Sequence, residues 1–108
     1  MVVFAVRDEE DIWGASAALI RHLLSYSIGL VGPRPYLLQV QNMFDWGYNS
    51  FGLFELPKVD FLEFAELVDA YRKSGAYLDT GYLPSEVEPL IDDLLNRLRA
   101  AAHHRQLH

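Results

Sequence analysis

The chain has 108 residues, no cysteine and a formal net charge of −6. This excludes disulfides, thiolate catalysis and cysteine zinc sites, and it leaves enough chain to bury a core without covalent staples. Hydrophobic residues make up 51% and charged residues 22%, a globular rather than a disordered balance.

MVVFAV is a β-branched run and predicts a strand covered on both faces. DEED follows it. Four acids ahead of a helical pattern suit the positive end of a helix dipole, and a metal pair is the weaker alternative because no second ligand cluster lies near in sequence. Ile12, Ala15, Leu19, Leu23 and Tyr26 recur at three and four and predict a helix over 12–27. IGLVGPRP ends it. Gly29 and Gly32 permit positive φ, Pro33 and Pro35 stop a helix, and the stretch lacks the Gly-Lys-Ser/Thr ending of a phosphate loop.

YLLQVQNMF and FGLFEL alternate in part, and DWGYNS between them carries turn residues. An antiparallel hairpin over 35–56 is the expected form, with Phe44 and Phe51 in the core and Asp45, Trp46, Tyr48 and Asn49 at an exposed tip. A helix starting at Pro35 is the rival, because proline is favoured at the first helical position. Asp60 and Glu63 make a capping-box-like start to a helix ending near Ser74, with Arg72 and Lys73 at its negative end and Gly75 closing it. Its inward residues are Phe61, Leu62, Ala65, Leu67, Val68 and Tyr71. In the last helix Val87, Leu90, Ile91, Leu94, Leu95 and Leu98 form one apolar stripe, opened by a Ser85–Glu88 capping box or one turn later by Pro89. The predicted architecture is one α+β domain over residues 1–102, in the order β-α-β-β-α-α, with three helices on a small antiparallel sheet; an all-α bundle is the alternative. Residues 103–108 are expected to form a flexible tail.

No catalytic or cofactor signature is present. His22 has no partner identifiable in the sequence, the serines lack a Gly-x-Ser-x-Gly context, and His104 and His108, although spaced at four, end the chain. The distribution of charge is more informative. Between Asp45 and Asp93 eleven acids face three bases, a net of −8. Such a surface repels nucleic acid and anionic membranes and steers a basic partner toward itself. Within this stretch Asp45, Trp46, Tyr48, Glu63, Glu66, Asp69, Tyr77, Asp79 and Tyr82 interleave acids with the aromatic types that dominate interface energies, and they are the candidate partner-binding residues.

Size, lack of cysteine, the acidic stretch DFLEFAELVD and the aromatic turn DWGY resemble small bacterial immunity proteins and antitoxins. The resemblance implies a cytoplasmic, non-enzymatic inhibitor that needs no cofactor and plugs the active site of a basic protein toxin, often a nuclease. Its carboxylates would stand in for substrate phosphates or pair with the toxin's Lys and Arg, and its rings would fill the cleft. Two rivals stand beside it: an adaptor or regulatory subunit using the same surface, and a small enzyme using His22 with a carboxylate. The short apolar N-terminus reaches Arg7 without a leader-type segment, and no apolar run approaches the roughly 18 residues of a membrane span, so the cytoplasm is the expected location.

Overall fold

The chain opens as a hairpin. β1 (Val2–Ala5) pairs antiparallel with β2 (Ile12–Ala15), with Phe4 opposite Trp13. DEED is the turn between them. The Asp8 carboxylate accepts from the amides of Glu10 at 2.9 Å and Asp11 at 3.0 Å, and Val6 donates to the Asp11 carbonyl at 2.9 Å. This Asx-type turn corrects the expected helix start: a short carboxylate can satisfy the following amides locally and so competes with helix formation. The Glu10 amide above all holds the Asp8 carboxyl below its usual range. The predicted helix over 12–27 is likewise displaced. Ser16 caps it, accepting from the Leu19 amide at 3.2 Å, and α1 runs Ala17–Val31.

Residues 1–107 are described by a computed structural model, with side chains to Arg105. In it the rival reading of the middle segment holds. Pro35 opens a helix, α2 (Pro35–Asp45), which buries Tyr36, Leu37, Val40 and Phe44. The expected hairpin is thereby corrected: those positions share one helical face, and proline at the first turn forfeits no hydrogen bond. β3 (Ser50–Gly52) follows and lies parallel to β1, with Phe51 beside Phe4. The sheet order is β2-β1-β3, so the sheet is mixed rather than purely antiparallel. A 3₁₀ turn (Leu53–Glu55) leads to α3 (Lys58–Ser74), closed as expected by Gly75 at φ +73°. No side-chain cap starts α3; it begins at Lys58 behind Pro57, so Asp60 lies inside the first turn and the expected Asp60–Glu63 box does not form. A second 3₁₀ segment (Ala76–Thr80) precedes α4 (Pro84–Leu107).

The molecule is therefore a mixed α+β fold, mostly helical, but over the described residues its order is β-β-α-α-β-α-α rather than β-α-β-β-α-α, with four α-helices rather than three. Residues 103–107 continue α4. Arg105 donates to the Leu56 carbonyl at 2.7 Å and lies 4.8 Å over the centre of the Phe61 ring. His108, and with it the His104–His108 spacing, lies outside the described residues.

The helices cover one face of the sheet. The Phe4 ring stacks on Trp13 at 5.7 Å, meets Phe44 at 6.2 Å and meets Phe64 edge-on at 6.0 Å. Val87, Ile91, Leu94, Leu95 and Leu98 are buried as the stripe predicts, while the Leu90 side chain is exposed. The Leu90 carbonyl accepts from the Trp13 indole at 2.9 Å and ties α4 to β2. Val3 and Ala5, expected under cover, face outward and are only partly buried.

Each buried Leu or Ile of α4 contributes about 1.5–3 kcal/mol, so Leu94→Asp is expected to abolish folding; a native circular dichroism spectrum and melting temperature in that variant would refute this core. Trp13→Phe keeps the stack on Phe4 but loses the indole bond and part of the ring. Its urea midpoint should fall by the equivalent of about 1–3 kcal/mol.

Candidate partner-binding site

The Asp45–Asn49 turn is built from both of its ends. On the α2 side Trp46 donates to the Asn42 carbonyl at 3.0 Å, Gly47 to Phe44 at 3.1 Å and Tyr48 to Met43 at 3.0 Å. Gly47 takes φ +93°, which a side chain would resist. On the β3 side the Asn49 carbonyl accepts from the Val3 amide at 2.9 Å. Asp45 sits at the negative end of α2, where a carboxylate is unfavourable, and Arg21 of α1 pairs with it at 2.5 Å. The turn is thus well anchored, yet Trp46 is 76% and Tyr48 61% exposed.

The α3 acids have different surroundings. Glu63 accepts from the Tyr36 hydroxyl at 2.9 Å and from Arg34 at 3.2 Å, both at the start of α2. Asp69 pairs with Lys73 at 2.8 Å and with Arg99 of α4 at 3.1 Å. Glu66 is exposed, beside Asp69 in a shallow groove between α3 and α4. Tyr77 is buried; it donates to Glu88 and accepts from Arg72 at 3.0 Å. Arg72 also reaches Asp92 at 2.9 Å, and that pairing above all raises its pKa. Asp79 is exposed, and the Tyr82 hydroxyl meets Ser16 Oγ at 3.0 Å.

The structure therefore brings together Asp45, Trp46 and Tyr48, keeps Glu66 beside Asp69, and separates the rest. Glu63 contacts the start of α2 and Asp45 ends it, about 15 Å apart along the axis at 1.5 Å per residue. Tyr77 belongs to the interior. Many acids that look unopposed along the sequence are answered by arginines from other elements, including Arg97, which bridges Asp11 and Asp93. Among the described residues Glu9, Glu10, Glu55, Asp60, Glu66, Asp79 and Glu86 have no such cation.

His22 Nδ1 lies 2.7 Å from the Tyr71 hydroxyl, so its partner is a buried phenol and not a carboxylate. Sequence reasoning missed a second feature. A groove of about 520 Å³ lies over the outer sheet face, between Glu9 of the DEED turn and Glu55 of the 3₁₀ turn. The alternation in VVFAV was the available signal, since one of its two faces must point away from the helices. Among the described residues no group of three or more His, Asp or Glu is placed to hold a metal ion, and no helix is long and apolar enough to cross a membrane. Comparison with known proteins finds no matching family model, no matching curated protein and no matching solved structure.

Burial pushes the Tyr36 hydroxyl well above its ordinary pKa of 10, and the bond to Glu63 adds to this; burial also raises Tyr71, with the charge of Asp79 adding. Both stay protonated in the folded chain when unfolded tyrosine ionises. Their stabilising effect is complete below pH 10 and is lost as the pH rises beyond it. Urea midpoints should hold to about pH 9 and fall above about pH 10. Tyr36→Phe should start lower, having lost the Glu63 bond, but fall less steeply; an alkaline slope identical to the parent would contradict this assignment.

Proposed function

We propose that this protein is an immunity-type inhibitor, a small acidic module that neutralises a basic protein toxin, a nuclease above all, by covering its active site with the Asp45–Tyr48 turn. The observation that carries the reading is Trp46, three-quarters exposed on a turn anchored at both ends. An exposed indole on a flexible loop would lose much of its binding energy to ordering; on a braced turn that cost is already met by folding. Trp and Tyr are the side chains that most often dominate interface energies. The net charge of −6 supplies the long-range attraction to a basic partner and sets its orientation. Asp45 keeps Arg21 beside it, so a basic partner group would exchange with an existing pair rather than meet a bare carboxylate.

On this reading the protein acts in the cytoplasm, without a cofactor and without binding nucleic acid or membrane itself. Of the nine residues proposed from sequence, Asp45, Trp46 and Tyr48 make the primary contact. Glu66 and Asp79, exposed elsewhere, contribute to steering, and Glu63, Asp69, Tyr77 and Tyr82 support the fold.

The test is co-production with the product of the reading frame that adjoins its gene. Rescue of growth, a stable complex and association slowed by salt are expected. An adaptor for a less basic partner would show little salt dependence. Trp46→Ala should leave the melting temperature unchanged and weaken the complex by about 2 kcal/mol or more, some thirtyfold. Full neutralisation by the Trp46→Ala/Tyr48→Ala double variant would overturn the reading.

A further inference from the structure

The outer face of the sheet lacks the polar cover that a solvent-facing sheet ordinarily carries. Such a sheet alternates apolar residues toward the core with polar ones toward water. Here the outward positions are Val3, Ala5, Ile12, Gly14, Ser50 and Gly52, with Ile12 46% exposed. Met1 lies over Gly14 and Phe54 of the 3₁₀ turn lies against Gly52, and no α-helix among the described residues covers the rest. Met43 and Leu56 extend the apolar floor, and Glu9 and Glu55 stand on the rim with no cation beside them among the described residues.

The same groove runs along the edge of the sheet. β3 is an edge strand, bonded only to β1. The Val3 amide donates to the Asn49 carbonyl at 2.9 Å, across the Val3–Ser50 pair. In a parallel ladder this register turns the amide and carbonyl of Phe51 toward β1 and those of Ser50 and Gly52 away from it. The Gly52 carbonyl opens the 3₁₀ turn, which leaves the amide and carbonyl of Ser50 and the amide of Gly52 as the outward groups with no further hydrogen bond among the described residues. Native edges are usually blunted by charge, proline or a covering element, and β3 carries neither charge nor proline.

We propose that this edge and groove receive an extended basic segment of the partner protein, which pairs with β3 as a fourth strand. Its main chain bonds to Ser50 and Gly52. Its alternate apolar side chains lie beside Ser50 and Met43 on the outer side, and a Lys or Arg reaches Glu55. Complementary charge selects this occupant over an acidic segment and over a second copy of this acidic chain. The proposal rests on the protein-binding reading and adds the form of the docking element. The two surfaces are contiguous, since Met43 and Ser50 bound both the groove and the Trp46 turn.

The test uses the full chain and a blocked hexapeptide alternating lysine and valine, followed in amide NMR spectra. Saturable shifts centred on Ser50 and Gly52 are expected, with Kd about 0.1–1 mM. The glutamate–valine counterpart should not bind. Glu55→Lys should weaken binding about tenfold. Ser50→Pro removes an outward amide and spares the ladder to β1, so binding should be lost while the β1 amides keep their shifts. Silence at Ser50–Gly52 up to several millimolar peptide, equal binding of both peptides, or dimerisation of the free chain through these amides would overturn the proposal. Such a failure is separable from failure of the functional reading, because Trp46-dependent neutralisation does not involve the peptide.

Discussion

The fold depends on the burial of Phe4. Its ring contacts Trp13, Phe44 and Phe64, so one side chain joins β2, α2 and α3 to the central strand. α4 is bound to the same cluster through the Trp13 indole and the Leu90 carbonyl. Aromatic pairs of this kind add about 0.5–1.5 kcal/mol each beyond the area they bury. With three strands and the α-helices drawn to the Phe4 side, the opposite face of the sheet is covered only in part, by Met1 over Gly14 and Phe54 against Gly52. The open face is thus a consequence of how the core closes.

A second constraint is charge. Fifteen acids face nine lysines and arginines, and the structure uses most of the arginines internally. Arg21, Arg34, Arg72, Arg97 and Arg99 each join two elements. These pairs are largely exposed and contribute little individually. Their larger effect is on which acids stay unopposed among the described residues: Glu9, Glu10 and Glu55 around the outer sheet face, Asp60 and Glu66 on α3, Asp79 in the second 3₁₀ segment and Glu86 on α4. Three of these seven stand around the outer sheet face, a region that the helix faces of the sequence do not bring to attention.

The sequence was most legible where one signal decided a segment. The α4 stripe, the Gly75 terminator and the core positions of Phe44 and Phe51 follow from periodicity and backbone freedom, and the exposure of Trp46 and Tyr48 follows from turn chemistry. It misled where two periods overlapped. Ile12, Ala15 and Leu19 fit a helix by spacing, yet the first two lie on a strand, and Ser16 between them and Leu19 is the cap that separates the elements. Residues 35–45 fit both hairpin and helix, and proline at the first turn was the better discriminator. The candidate site was legible only in its turn. The pairing of Asp45 with Arg21, of Glu63 with Arg34 and of Asp69 with Arg99 spans 24 to 30 residues of sequence. No local pattern encodes such pairs, so acids that look unopposed along the chain are opposed in space.

The proposed role turns on whether Trp46 is the side chain that a partner covers. Trp13 and Trp46 are the two tryptophans of the chain, and a Trp13→Phe variant leaves Trp46 as the single indole reporter. Iodide quenching of its fluorescence, measured with and without the product of the adjoining reading frame, tests the claim directly. The account predicts free access for iodide in the isolated protein and strong protection in the complex. Quenching that is unchanged when the partner is bound would contradict it.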